Sequence, residues 1–410
     1  MRIAVYSHYF TPEISPAAAR IHDMGIEWLR EGHAVDVVTC FPNHPQGRVY
    51  PGYRRSWYRR ENLSGVNVHR HFTYMTRNQG ILKRTLGHLS YFASAAMGAS
   101  KRADSPDVVM GTSPPLFAAT AAAWTGRMRG VPFVMEVRDL WPAILVDLGV
   151  ARNPALIRLL NLWETALYKE ATRIVTVTDS FRRMLTERGI PESKVTTISN
   201  GADADFWRPV ATRDSIRAEM ALDKSFVVLY AGTHGISQGL AAILETARLL
   251  QDRPEIRFVF VGDGAEKPML IEKARMLSLA NVEFHPPVDR HTMREYYTLS
   301  DLCLAPLRAV PLFRAFVPSK IFEIMSMERP VLGLLQGEAA EILRDAQAGV
   351  VVPPEDASRA AEAILELSRN PQRCTDMGRR GRELVIQRYS RRSLALKYLR
   401  VLEESVRQGR

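Results

Sequence analysis

FVPSKIFEIMSMERPVLGLL, residues 316–335, reads as a loop, a short helix, a break and a buried strand. Pro318 and Ser319 suit the entry of a helix running through Met327, and Pro330 keeps that helix from continuing. The apolar run 331–335 has the length of a central parallel strand. Lys320 and Glu323 stand three residues apart in the first helical turn, so they share nearly one face beside amides that lack a helical partner. A lysine at a helix N-terminus suits an anion such as a diphosphate. A carboxylate one turn further on can accept hydrogen bonds from two adjacent sugar hydroxyls. The stretch points to an α/β protein with a site for a nucleoside-diphosphate sugar.

The same alternation extends outward in both directions. Strand patterns at 2–6, 34–39, 108–111, 133–137, 173–177 and 195–198 are separated by amphipathic helical patterns, as parallel α/β sheets require. At Asn200-Gly201 the pattern breaks into the polar linker ISNGADADFWRP. A second series follows, with strands at 226–231, 256–261, 302–305, 331–335 and 349–352. The last forty residues are helical, and Leu394, Leu396, Tyr398, Leu399 and Leu402 form an apolar stripe. Length agrees, because 410 residues exceed what one hydrophobic core usually supports. The expected division is an N-terminal Rossmann-like domain over 1–202, a C-terminal one over 203–388, and a final helix, 389–410, that crosses back to the first domain. Ligands of such sheets sit beyond the carboxyl ends of the strands, here in a cleft between the two domains.

Composition excludes several classes. Cys40, Cys303 and Cys374 have no metal-ligand spacing and imply a reducing compartment without a disulfide framework. The opening MRIAVYSHYF is too short an apolar run for a signal peptide, and no stretch is long and apolar enough to span a membrane. The net charge of +11 is concentrated: residues 48–102 hold eleven basic side chains against Glu61 alone. These are Arg48, Arg54, Arg55, Arg59, Arg60, Arg70, Arg77, Lys83, Arg84, Lys101 and Arg102. Tyr50, Tyr53, Trp57, Tyr58, Phe72, Tyr74, Tyr91 and Phe92 are interleaved with them. Such a stretch suits an anionic membrane surface, single-stranded nucleic acid, or simply a solvated basic face. No nucleic-acid-binding motif supports the second, so the membrane surface is the expectation.

Three motifs lie at expected carboxyl ends of strands. AGTHGISQGL, 231–240, places Gly232, Gly235 and Gly239 where backbone can approach a phosphate or sugar, although a ligand-free turn reads the same way. VGDG, 261–264, offers Gly262 and Gly264 in a second turn near a base or ribose. EVRDLWP, 136–142, puts Glu136, Arg138 and Asp139 at the end of a buried strand. Either they satisfy one another as an ion cluster, or Asp139 faces the cleft and the transferred sugar. SHYFTPE, 7–13, brings His8 and Glu13 to the same edge. Asp203-Ala-Asp205 spells a metal motif but has only turn chemistry around it, so no metal is expected.

Taken together, YFTPE, RDLWP, SNGADADFW, the AG…G…QGL turn, FVGDG and PSKIFEIMSMERPV resemble glycosyltransferase family 4, retaining enzymes of the GT-B fold. The resemblance covers almost the whole chain. FPNHPQGRVYPGY and the basic stretch after it are similar, more narrowly, to bacterial fucosamine transferases of O-antigen and capsule assembly. The resemblance implies transfer of an N-acetylated deoxyhexosamine such as L-FucNAc from a UDP-sugar to a lipid-linked, polyprenyl diphosphate saccharide. It implies retention of configuration and no metal or other cofactor. It also implies a peripheral enzyme on the cytoplasmic face of the plasma membrane, docked through 48–102. By position, Glu323 corresponds to the carboxylate that holds the ribose diol, and Asp139 to a residue near the transferred sugar. Gly232, Thr233, Gln238, Gly262, Gly264 and Ser319 fall on the donor side. His8, Glu13 and Arg138 fall on the acceptor or sugar side. The chain departs from the family pattern at Ala315, where a first glutamate is usual, and at Thr233 and Gln238, where a basic pair is usual. Lys320 is then the expected diphosphate partner and catalytic group, with Arg314 and Arg308 behind it. The rival readings are a GT-B-fold nucleotide-sugar epimerase and a non-catalytic module binding nucleotide sugar or anionic lipid.

Overall fold

The computed structural model describes every residue but 14, 45–46, 76–80, 103–104, 150, 212 and 410. Arg77 therefore lies outside the described residues, and the side chains of Lys101 and Arg102 are not described. Two units emerge from the contacts: Met1–Ser199 together with Arg391–Arg410, and Asn200–Ser390. The chain leaves the first unit after Ser199, three residues before the expected boundary, and returns at Arg391.

The first unit holds eight strands: β1 (Arg2–Tyr6), β2 (Ala34–Cys40), β3 (Tyr58–Leu63), β4 (Val66–His71), β5 (Val108–Ser113), β6 (Phe133–Val137), β7 (Arg173–Thr176) and β8 (Val195–Thr197). Their order is β3-β4-β2-β1-β5-β6-β7-β8, and every pairing is parallel except β3 with β4. The central strands are buried without interruption, as strands covered on both faces must be. The second unit holds β9 (Phe226–Ala231), β10 (Ile256–Val261), β11 (Val282–His285), β12 (Leu302–Pro306), β13 (Val331–Leu334) and β14 (Gly349–Val352). Its all-parallel order, β11-β10-β9-β12-β13-β14, is the 3-2-1-4-5-6 arrangement of a Rossmann sheet. In that order the direction of winding reverses between β9 and β12, and sheets of this kind hold ligands at the turns after two such strands.

Local sequence accounts for most of the elements. Ser15 caps the helix Pro16–Arg30, accepting from the Ala18 amide with proline at the first helical position. Thr178 and Asp289 cap the helices Asp179–Glu187 and Arg290–Leu299 in the same way. Three strands escaped the sequence reading: β4, VNVHRH, is mostly buried but carries two histidines and an arginine that hide it. β3, with the sequence YRRENL, is a polar edge strand with no alternating apolar face to reveal it. β11 is only four residues long and half-buried, at the other sheet's edge. The helix after Ser319 is also shorter than its pattern suggested, Lys320–Ser326, and the Ser319 side chain makes no cap hydrogen bond. Its entry is tightened instead by Ile321 N–H to Pro318 O and Phe322 N–H to Ser319 O, both spanning three residues.

Two constraints hold the first unit together. The final helix, Arg391–Gln408, lays Leu394, Ala395, Tyr398, Leu399 and Leu402 into the core, against the helix Pro16–Arg30 and strands β5 and β6. The fully buried Trp28 indole donates to Ala395 O at 2.9 Å and packs edge-on against Tyr398. Deeper in, Glu136 on β6 is entirely buried and pairs with Arg20 at 2.9 Å. Arg20 also donates to Ile198 O and Ser199 O, tying the first helix to the end of β8. Arg20→Ala leaves the buried Glu136 carboxylate facing only Arg138, 3.9 Å away. The expected loss is about 3 kcal/mol or more in urea unfolding, most of it recovered in the apolar pair Arg20→Met with Glu136→Leu. An Arg20→Ala midpoint equal to wild type would show the pair to be dispensable.

Candidate functional site

The carboxyl edge of the second sheet brings the expected donor residues together. β9 ends in the turn 232–239, and β10 ends in the turn 262–264 beside it. The two turns touch backbone to backbone. A Cβ on Gly262 would lie 2.0 Å from Gly232 O, and one on Gly264 would lie 2.2 Å from His234 O. Only glycine fits at either position, and both Gly232 and Gly262 have positive φ. The interlock is hydrogen-bonded through Gly232 N–H to Val261 O and His234 N–H to Asp263 O, each 2.9 Å. Lys267 braces it from behind, donating to Gly262 O at 2.7 Å and His285 O at 2.6 Å. Gly262 and Gly264 thus have a packing role that their sequence motif did not reveal.

Onto this platform the helix Lys320–Ser326 delivers its first residue. Lys320 Nζ sits 2.9 Å from where a Cβ on Gly232 would be, and 4.1 Å from the centroid of the Tyr230 ring. It has no hydrogen-bond or ion-pair partner among the described residues. The surrounding protein strips water from the ammonium and lowers its pKa to about 8, an effect that the Glu323 carboxylate one turn on opposes. Tyr230 is buried, its hydroxyl donating to Thr233 O, and it forms the floor beneath the ammonium. Glu323 is half-buried and accepts a hydrogen bond from the fully buried Tyr297 hydroxyl, whose pKa it helps to raise. Tyr230 and Tyr297 were not anticipated. Tyr230 looks like a core aromatic in an apolar strand and Tyr297 like the buried side of an amphipathic helix, and only the register of the tertiary structure gives each a polar duty.

Around Lys320 the remaining donor-side residues fall into two groups. Thr233 is exposed, and its amide, like those of Gly235 and Ser319, has no acceptor among the described residues. Gln238 is half-buried in the short 3-10 turn Ile236–Gln238, which ends at Gly239 in the left-handed region. Arg308 N–H donates to Ser237 O, and its guanidinium stands 3.8 Å from Glu355, so its charge is already answered. Arg314 is exposed and donates to Gln336. Lys320 is accordingly a cation of this edge with neither a hydrogen-bond nor an ion-pair partner among the described residues. With the helix Lys320–Ser326 only seven residues long, its dipole adds little, and the ammonium and open amides are what an anion would meet. Ala315 is buried, and no carboxylate stands at that position.

In the first unit the EVRDLWP residues divide. Glu136 belongs to Arg20, and the Arg138 guanidinium donates to Pro114 O at 3.0 Å. Asp139 stands outside that cluster, with no hydrogen bond to any described residue, and burial lifts its pKa to about 6 against the pull of Arg138. The ion cluster therefore exists, but its nearer cation is Arg20, 116 residues away in sequence, with Arg138 3.9 Å from the same carboxylate. Glu13 is buried, and its carboxylate accepts the amides of Phe10, Asn43 and His44, which leaves it a loop-organising group. His8 is buried among Tyr9, His88 and Tyr91. Asp203 accepts the amides of Asp205 and Phe206 in a local turn. Among the described residues no group of three His, Cys, Asp or Glu is placed to hold a metal ion.

Comparison with known proteins bears on the family and the fold. Residues 17–201 match the glycosyl transferase 4-like domain family, and residues 212–384 match the glycosyl transferases group 1 family. WcaI of Escherichia coli (strain K12), provisionally named a colanic acid biosynthesis glycosyl transferase, is 28% identical over 336 residues, covering 80% of this chain and 81% of that protein. Among solved structures, the sucrose-phosphate synthase of Thermosynechococcus elongatus superimposes with a TM-score of 0.77 at 18% identity, over 98% of each chain. HepE of Anabaena, solved in complex with UDP and glucose, gives a TM-score of 0.74 at 16% identity, over 98% of this chain and 99% of that one. The two structural likenesses carry the two-Rossmann GT-B fold. With its two halves matched in order by the two domain families, the chain belongs to the family 4 glycosyltransferases and is a transferase.

Proposed function

We propose that the protein is a retaining glycosyltransferase that moves a sugar from a UDP-sugar to a lipid-linked saccharide in cell-surface polysaccharide assembly. The observation that carries the donor half is the unpaired Lys320 ammonium seated against Gly232, with Glu323 one turn away. A diphosphate laid along the 232–239 turn meets a desolvated cation and the open amides of Thr233 and Gly235. As the sugar–phosphate bond breaks, negative charge grows on that diphosphate, and donors already fixed there stabilise it without reorganising. Glu323, oriented by Tyr297, accepts from the ribose diol. UDP as the nucleotide is supported by the complex of HepE, and polysaccharide assembly by the name of WcaI. The acetamido-deoxyhexose, L-FucNAc, is the sugar that the narrower resemblance favours. Asp139, which has no partner in its own ion cluster, acts beside the transferred sugar.

The acceptor half draws on the region 48–102. Arg48, Arg54, Arg55, Arg59, Arg60, Lys83 and Arg84 are exposed, and Trp57 is 73% exposed among them. Arg70 is the exception: it is fully buried, bonded to Glu61, Cys40 O and Thr11 O, and contributes nothing to the surface. Leu86, Leu89 and Met97 stand out from the helix Ile81–Arg102, so the basic face carries apolar side chains that can enter a lipid headgroup layer. No helix among the described residues is long and apolar enough to cross a membrane. Peripheral attachment to the cytoplasmic face of the plasma membrane fits both facts.

Three outcomes are expected. Lys320→Met lowers turnover on the order of 10²–10³-fold, the effect of removing one preorganised donor, with melting temperature unchanged or higher. Stability does not suffer because the ammonium ionises less readily in the folded chain than in the unfolded one. Wild-type turnover in this variant would end the leaving-group role. In a pH profile, kcat/KM falls as pH rises through about 8, where Lys320 loses its proton, and as pH falls through about 6, where Asp139 gains one. Lys320→Met removes the first limb and Asp139→Asn the second; limbs that persist in both variants would assign them to other groups. Co-sedimentation with anionic liposomes is expected to drop sharply when Arg54, Arg55, Arg59 and Arg60 are all changed to Gln. Equal binding by that variant and wild type would refute docking through this face.

A further inference from the structure

Lys320 and Glu323 stand on a helix of only seven residues, too short to hold its own position, so its neighbours decide where the two side chains lie. Those neighbours include the segment by which the chain enters the second unit. Asp203 folds that segment back on itself, its carbonyl accepting the Trp207 amide at 2.8 Å, and the Trp207 side chain is buried, 4% exposed. Trp207 O then accepts the Ser326 hydroxyl at 2.7 Å and an Arg382 N–H at 3.0 Å. Ser326 is fully buried at the end of the site helix, three residues beyond Glu323 and on nearly the same face. Arg382 completes the join by donating to Ser326 O and to Ala204 O as well.

A second contact runs from Trp207 towards the carboxylate itself. The indole meets the Tyr297 ring with centroids 5.6 Å apart and planes at 73°. Tyr297 is buried as well, and its hydroxyl donates to Glu323. Phe206, with its ring 4.9 Å from the indole, and the Arg290 guanidinium, 5.6 Å from the indole centroid, hold Trp207 in turn. The other end of the unit reaches the same helix. Ala202 N–H donates to Tyr389 O at 3.1 Å, and the Tyr389 ring packs 4.5 Å from that of Phe322. Residues near both ends of the second unit are thus fastened to the helix that carries Lys320 and Glu323.

What these contacts fix is direction. A carboxylate that takes two neighbouring ribose hydroxyls has to present its oxygens at the right angle, since hydrogen bonds weaken steeply when bent. A tyrosine hydroxyl on the same carboxylate sets that angle only as well as its own ring is held, and the Trp207 indole is packed against that ring. We infer that Trp207 is a positioning residue of the donor site, aiming Glu323 at the ribose diol through Tyr297 and through Ser326. Buried as it is, it acts without touching the nucleotide. The inference rests on the reading of Glu323 as the ribose carboxylate and adds the group that orients it.

Calorimetric titration of the full chain with UDP and with 2′-deoxy-UDP tests this, because the two differ only in one ribose hydroxyl. Wild type is expected to bind UDP about tenfold or more tightly, the effect of one hydrogen bond to a charged group. Trp207→Leu and Tyr297→Phe are each expected to reduce that preference to about threefold or less, because Glu323 is no longer aimed. Trp207→Phe, which keeps a ring beside Tyr297, is expected to recover most of it. Ser326→Ala deletes one hydroxyl, leaves the indole in place, and is expected to reduce the preference too. It keeps the test open if melting temperature and circular dichroism show that Trp207→Leu does not fold. A merely structural role would lower the melting temperature or weaken both nucleotides alike, with their ratio unmoved. A full wild-type preference in folded Trp207→Leu, or in Ser326→Ala where that variant alone folds, overturns the inference when Glu323→Ala has lost the preference. The underlying reading fails separately: a preference retained in Glu323→Ala, or absent from wild type, removes Glu323 from the ribose and takes this inference with it.

Discussion

The second unit depends on two strand-end turns approaching each other more closely than side chains allow. Gly262 rests on Gly232 and Gly264 on His234, carbonyl against α-carbon. Two consequences follow from that contact. It clears the carboxyl edge of β9 of side chains, leaving bare backbone at the point where a Rossmann sheet holds its ligand. It also leaves a hollow of the right size for the Lys320 ammonium, which rests on the Tyr230 ring instead of on a carboxylate. A cation resting on an aromatic face keeps its charge available, whereas one in a salt bridge does not. Arg308, paired with Glu355 on the same edge, shows the other outcome.

Most of this architecture was legible because parallel α/β sheets write themselves plainly. Central strands such as β9 and β13 are continuous apolar runs, and caps such as Ser15 announce their helices. What escaped was whatever depended on partners distant in sequence. β3 carries charge on its exposed face and pairs only at an edge, so nothing in YRRENL marks it as a strand. Arg20 looks like an ordinary cation on an amphipathic helix, yet it neutralises Glu136 far along the chain. Arg70 was counted with the surface charge and is in fact the buried hub of Glu61, Cys40 and Thr11.

The candidate site was legible in part, for the same physical reason. Lys320, Glu323 and Gly232 could be picked out because each occupies a position whose chemistry is local: a helix start, one turn on, a strand end. Ser319 was expected to cap and does not, since its backbone is already helical and the entry is closed by three-residue hydrogen bonds. Tyr230 and Tyr297 are invisible in sequence because their roles arise only where β9 and the helix Arg290–Leu299 come to rest. Glu13 was misleading in the opposite sense: a carboxylate at a strand end, it turns inward to organise the 41–44 loop.

The return of the chain to its first unit has a consequence for assembly. Asn200–Ser390 is in effect an insertion within the first unit, whose core is incomplete until Arg391–Arg410 arrives. Trp28, on the first helix, finds its acceptor in Ala395, 367 residues later. During translation the inserted unit has all of its strands before the first unit has all of its core. The order of maturation is therefore the reverse of the usual N-terminal-first sequence. The last helix acts as a latch, and until it engages, the apolar surface around Trp28 is the part of the nascent protein most exposed to wrong partners.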